Sequence, residues 1–133
     1  MIRFRYMVKD VEKAVEFYTK LLGFEVQQTN FPYFAMLSRD NVCLVLSPPF
    51  GPGGAAKPMK DGRKPEAGVG WNRIIIDVDD LPAEVERLRA AKVNIRSEIL
   101  TGPGGSEVLL DDPSGNPVEL FQPARENVKK AGE

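Results

Sequence analysis

The sequence predicts an α+β fold built from two copies of one βαβββ module. Three observations carry that prediction. The apolar patterning runs strand, helix, strand, strand, strand, and then does so again. A shift of 70 residues carries Arg3 onto Arg73, Val8 onto Val78, Asp10 onto Asp80 and Val15 onto Val85. A shift of 75 carries Asn41 onto Asn116, Leu44 onto Glu119 and Pro48 onto Pro123. The difference falls in turns, where insertions are tolerated. One module leaves a sheet face that its single helix cannot cover, and a second sheet facing it would enclose that face.

Each element has a local reason. Ile2 to Val8 alternates as a strand, with Phe4, Tyr6 and Val8 on one face and Arg3, Arg5 and Met7 on the other. Asp10 caps a helix whose stripe is Val11, Ala14, Val15, Phe17, Tyr18, Leu21 and Leu22, with Gly23 as its stop. Strands are expected over Phe24 to Gln28, Phe34 to Ser38 and Val42 to Ser47, separated by Pro32 and by the Arg39-Asp40-Asn41 turn. The pattern restarts with a strand from Asn72 to Val78. Asp79 and Asp80 then open a helix with Leu81, Val85, Leu88 and Ala91 on its buried side. Further strands are expected over Val93 to Ile99, Glu107 to Leu110 and Val118 to Gln122, the first two joined by the Gly102 to Gly105 turn. Pro113-Ser114-Gly115-Asn116 reads as a tight turn before the last strand.

The 133 residues fit one domain: module one over about 1–48, a loop over 49–70, module two over about 71–123 and a polar tail over 124–133. The loop is rich in proline, glycine and lysine, and reads either as a plain linker or as a lid over a ligand. Its Lys57, Lys60, Arg63 and Lys64 are expected to be a solvated cluster. A net charge of −1 gives no argument for nucleic acid or an anionic membrane. No signal peptide or spanning run is recognisable, and a lone Cys43 fits a reducing compartment, so the expectation is a cytoplasmic protein. There is no histidine. That removes Ser-His-Asp and Cys-His catalysis, and the two-His-one-carboxylate iron site, from this chain.

Two stretches carry a resemblance. One is Val8-Lys9-Asp10 leading through Phe17-Tyr18 to Leu21-Leu22-Gly23-Phe24; the other is Asp77 to Leu81 together with Asp112-Pro113-Ser114-Gly115-Asn116-Pro117-Val118-Glu119-Leu120. The chain resembles the glyoxalase / bleomycin-resistance / extradiol-dioxygenase group, the vicinal oxygen chelate superfamily, over nearly its whole length. The resemblance implies a cupped, incompletely closed mixed β-barrel with the helices outside, and a homodimer. It also implies a metal held from the first and last strands of each module. Those positions here are Arg3, Leu44 (Val45 after a one-residue slip), Arg73 and Glu119. Only Glu119 can ligate, because guanidinium groups accept nothing and leucine has no donor atom. The expectation is therefore no metal and no cofactor.

What remains implied is metal-independent binding of a small, partly aromatic or anionic molecule in the cleft between the modules. Arg3, Arg5, Leu44, Trp71, Arg73 and Phe121 are the ligand-binding candidates, with Tyr33 or Phe34 as possible further flat walls. The alternative is a lyase, isomerase or dioxygenase-type enzyme of the same superfamily, with Glu119 as catalytic base and an arginine facing a developing oxyanion. A third reading is a structural or regulatory subunit with a degenerate pocket. Arginines pointing into a concave space need partners. Either Arg3 or Arg73 pairs with Glu119, and Asp77 with Arg5, or one guanidinium stays open for a carboxylate or phosphate. Cys43 is expected on the helix-covered face, and Tyr18 in the core.

Overall fold

The two helices begin where the sequence caps them. In the computed structural model, which describes residues 2–51, 60–63 and 72–125, Asp10 is extended and its carboxylate accepts from the backbone N–H of Lys13 at 3.1 Å. Helix α1 then runs Val11–Lys20. Asp80 does the same for Ala83 at 3.1 Å, opening helix α2 over Leu81–Ala90. Each cap satisfies an N–H that the first turn would otherwise leave unpaired.

The chain divides into two units. The first comprises Met1–Gly70 together with Asp112–Asn116; the second comprises Trp71–Asp111 and Pro117–Glu133. In the first unit, strands β1 (Arg3–Met7), β2 (Glu25–Asn30), β3 (Phe34–Arg39) and β4 (Val42–Ser47) form a mixed sheet in the order β1-β4-β3-β2. β1 runs parallel to β4, and the other pairings are antiparallel. Helix α1 packs on β3 and β4. In β3, Ala35 and Leu37 are buried while Phe34 and Met36 are half-buried, so the Ala35 face lies under the helix, and register puts Tyr6 on it. Cross-strand register puts Phe4, Leu44, Leu46, Ala35 and Leu37 on that same face. The last four are fully buried, and each buried leucine contributes roughly 1.5–3 kcal/mol. Phe4 stays 48% exposed because β1 is an edge strand.

The turn over Asp112–Asn116, distant in sequence, belongs to this unit. Asp112 is 4% exposed and its carboxylate accepts four hydrogen bonds. Its Oδ1 takes the backbone N–H groups of Ser114 and Asn116, both at 2.8 Å. Its Oδ2 takes the Tyr18 hydroxyl and the Asn116 side-chain amide, both at 2.9 Å. Asn116 also donates to the carbonyl of Met7 at 2.8 Å, and Ser114 Oγ accepts from Lys9 N at 2.8 Å. Of the turn's residues, only Gly115 adopts a positive φ, +84°, a conformation that favours glycine.

Tyr18 is therefore a core residue, as its place on the helix stripe predicts. Burial, then the adjacent Asp112 charge and its hydrogen bond, hold its phenol well above the usual range. A raised pKa in the folded state means that the hydroxyl's contribution is complete below pH ~10 and is lost as pH rises further. Tyr18→Phe should cost about 1–3 kcal/mol at neutral pH. It should also flatten the stability profile above pH ~10, which urea titrations of both proteins across that range would read.

The second unit repeats the plan. Strands β5 (Ile74–Asp77), β6 (Leu100–Gly102), β7 (Gly105–Asp111) and β8 (Pro117–Pro123) pair in the order β5-β8-β7-β6, with β5 parallel to β8. Leu81, Val85 and Leu88 of α2 are buried, as are Ile74, Ile76, Val108, Leu110, Val118 and Leu120 of the sheet. Ala91, expected on that stripe, is instead the exposed C-cap.

The strand expected over Val93 to Ile99 is not formed. Only Ile95 bridges to Leu110, and the pairing strand is the shorter Leu100–Gly102. The side chains of Asn94 and Arg96 bind the Asp111 carboxylate. That holds the segment beside β7 without a regular ladder.

Candidate functional site

β8 carries side chains alternately to its two faces, so Glu119 and Phe121 oppose Val118 and Leu120. The latter pair is buried with α2; the former lies on the face away from the helix. Register adds Ile75 opposite Glu119 and Asp77 opposite Phe121 from β5, and Leu109 and Glu107 from β7. Glu119 is 4% exposed, and its Oε1 accepts from Arg73 Nε at 2.9 Å. The Arg73 side chain is 31% exposed. This is the first half of one arrangement the sequence allowed. Its other half, Asp77 with Arg5, is not formed, since among the described residues Asp77 makes no ion pair and Arg5 bonds to Ser47 instead. Glu119 engages the guanidinium through Nε, and the two terminal nitrogens make no hydrogen bond among the described residues; they carry the fork that suits a carboxylate or phosphate.

The first sheet presents the corresponding face with different chemistry. Arg5 stands opposite Val45, Arg3 opposite Cys43 and Met7 opposite Ser47. Arg5 Nη1 donates to Ser47 Oγ at 2.9 Å. Among the described residues Arg3 makes no ion pair. The register corrects two expectations. Leu44 faces the helix rather than sharing the face of Arg3, so Val45 is the counterpart of Glu119. Cys43 lies on the Arg3 face and not under the helix, though it is buried as expected, at 7% exposure. The cause is β4 itself, in which every residue from Cys43 to Ser47 is buried, so no alternation marks its faces.

A register shift between Val26 and Gln28 in β2, which sequence reading did not find, makes Gln27 an extra residue; its amide donates to Ser38 Oγ at 2.6 Å. Trp71, and most of the loop over 49–70, lie outside the described residues. Tyr33 is 44% exposed and packs edge-on to Phe50, with ring centroids 6.3 Å apart. Phe34 is half-buried on β3.

The family model described as Glyoxalase/Bleomycin resistance protein/Dioxygenase superfamily matches residues 1–120. The chain belongs to that superfamily. Solved structures share its fold across almost their whole length. The lactoylglutathione lyase of Agrobacterium tumefaciens is 20% identical, with 92% of each chain covered and a TM-score of 0.68. The fosfomycin resistance protein FosX of Listeria monocytogenes is 16% identical over 95% of this chain and 94% of its own, with a TM-score of 0.69. TnmS3, an antibiotic binding protein from a Streptomyces species, is 23% identical over 93% and 97%, with a TM-score of 0.64. No curated protein matches the chain. At these identities the likeness establishes the fold and leaves activity to the side chains.

Of the four positions to which the resemblance assigns a metal, only Glu119 carries a side chain able to ligate one. In the second sheet they hold Glu119 and Arg73, and Oε1 of Glu119 is already engaged. In the first they hold Arg3 and Val45, and neither side chain has a lone pair to give. Elsewhere in the second unit a cleft of about 690 Å³ opens beside the start of α2, lined by Asp77, Asp79, Thr101, Ser106, Gln122 and Arg125 among others. Gln122 Oε1 accepts from Leu81 N there, at 2.7 Å. Neither Arg73 nor Glu119 lines this cleft. Among the described residues no helix is long and apolar enough to cross a membrane.

Proposed function

We propose that this superfamily member binds a small, partly apolar anion without a metal, and that Arg73 is the group that grips it. The observation that carries this reading is the Arg73–Glu119 pair. A carboxylate with 5% side-chain exposure holds, at 2.9 Å, an arginine whose side chain is still 31% exposed. Such a fixed fork loses little freedom when it meets a second anion. Ile75, 58% exposed, and half-buried Phe121 lie on the same face and supply apolar surface for the rest of the ligand.

Benzoate is a suitable first probe, compared with benzamide by calorimetry and thermal shift. Benzoate should stabilise the protein and benzamide should not. Arg73→Ala should abolish the difference, with a loss of about tenfold or more in affinity. Glu119→Gln should weaken binding less, since it loosens the guanidinium without removing it. Equal binding of the two probes, or tight retention of zinc, nickel or manganese after dialysis, would overturn the reading. A catalytic role for Glu119 predicts something different: a turnover lost in Glu119→Gln while benzoate binding persists.

A further inference from the structure

The face that carries Arg73 continues toward the end of β5, and its chemistry changes sign. Phe121 has Asp77 as its cross-strand neighbour on one side and Glu107 on the other. The three lie on adjacent strands of the face that carries Glu119, with the ring between the carboxylates. Neighbouring strands are ~4.8 Å apart, so the two acidic residues straddle the ring at roughly 10 Å between backbones. The ring leans over Gly105, where a β-carbon would meet its Cζ at 3.0 Å. Among the described residues neither Asp77 nor Glu107 makes a side-chain hydrogen bond or ion pair, although the second unit holds six other arginines and lysines within the described residues, and Arg73, Arg87 and Arg96 of these do find carboxylate partners.

Two unpaired carboxylates flanking an aromatic ring offer a cation both opposite charge and the electron-rich face of a π system. Asp77 lies four positions beyond Arg73 along this edge, roughly 13 Å of extended chain. Between them lie exposed Ile75 and half-buried Leu109.

We infer that Asp77, Phe121 and Glu107 form a seat for an ammonium group, and that the ligand of this face is a zwitterion. Its anionic end meets Arg73, its apolar middle crosses Ile75 and Leu109, and its amine rests against Phe121. This deepens the anion-binding reading above and depends on it. It adds a requirement that Arg73 alone would not impose: a positive charge at the far end of the molecule.

The test compares octanoate, ω-hydroxyoctanoate and ω-aminooctanoate by isothermal calorimetry on the full chain. The amino compound should bind about tenfold more tightly than the hydroxy compound. The double variant Asp77→Asn/Glu107→Gln should erase that advantage while keeping octanoate binding, and Phe121→Leu should reduce it. Circular dichroism would confirm that each variant is folded. If octanoate binds through Arg73 and the amine adds nothing, the ammonium seat is wrong and the anion site stands. If none of the three binds, both fall.

Discussion

Replacing Asp112 by alanine should cost about 3–5 kcal/mol, enough to lower the melting temperature by roughly 15 °C. One buried side chain accepts from two backbone N–H groups, one amide and one phenol. Alanine removes the acceptor of all four bonds in a largely buried place and strands the Tyr18 hydroxyl in particular. Asp112→Asn separates charge from geometry. It keeps one oxygen for the two backbone donors but sets an amide N–H₂ against the Tyr18 hydroxyl and the Asn116 amide. Its cost should lie between the wild type and alanine. Urea denaturation followed by circular dichroism reads both. A change under 1 kcal/mol for the alanine variant would mean that the turn rearranges and that this network carries little of the stability.

Gly105→Ala should be comparably severe, for a steric reason. Gly105 has φ +144°, and a β-carbon there would sit 2.2 Å from the carbonyl oxygen of Gln122 and 3.0 Å from Ala124 N. Both are backbone atoms of the chain alongside, so no rotamer change relieves the overlap. β7 and β8 would have to part at the end where Gly105 pairs with Pro123. We expect a loss of about 3 kcal/mol or more. Gly102→Ala, three residues away, has nothing within 4 Å of the added carbon and should change stability by less than about 0.5 kcal/mol. Thermal melts of the pair make a controlled comparison. Equal melting temperatures for the two would contradict the packing described for Gly105. Displacement of Phe121 by the same substitution should also weaken the preference for amine-bearing ligands.

Much of this architecture was legible because local chemistry and global pattern agree. Asp10 and Asp80 are capping residues that do cap, and the alternation of Ile74, Ile76, Val118 and Leu120 against Glu119 and Phe121 gave the right faces in the second sheet. The first sheet was less readable. A fully buried strand such as β4 has apolar side chains on both faces, so its register has to come from its neighbours, and aligning Asn41 with Asn116 through turns of different length misplaced it by one residue.

Val93 to Ile99 failed in part: its β-branched residues suit a strand, but the backbone pairs with β7 only through Asn94 and Arg96 around Ile95, and Leu109 N then donates to the Ser97 side chain, so the ladder goes no further. The pairing of Arg73 with Glu119 was one of two possibilities on paper, because charge alone does not say which arginine is nearer. Asp77 and Glu107 are far apart in sequence, and only strand register reveals that they flank one ring.

The turn from Asp112 to Asn116 also bears on the order in which the chain can become itself on the ribosome. Tyr18 and the carbonyl of Met7 wait for partners 94 and 109 residues further on. Emergence of the first seventy residues is therefore not enough to complete the first unit. Until Asp112 has been synthesised, the Tyr18 hydroxyl lacks the acceptor it has in the finished unit. The first half to be made is, in this respect, among the last to be finished.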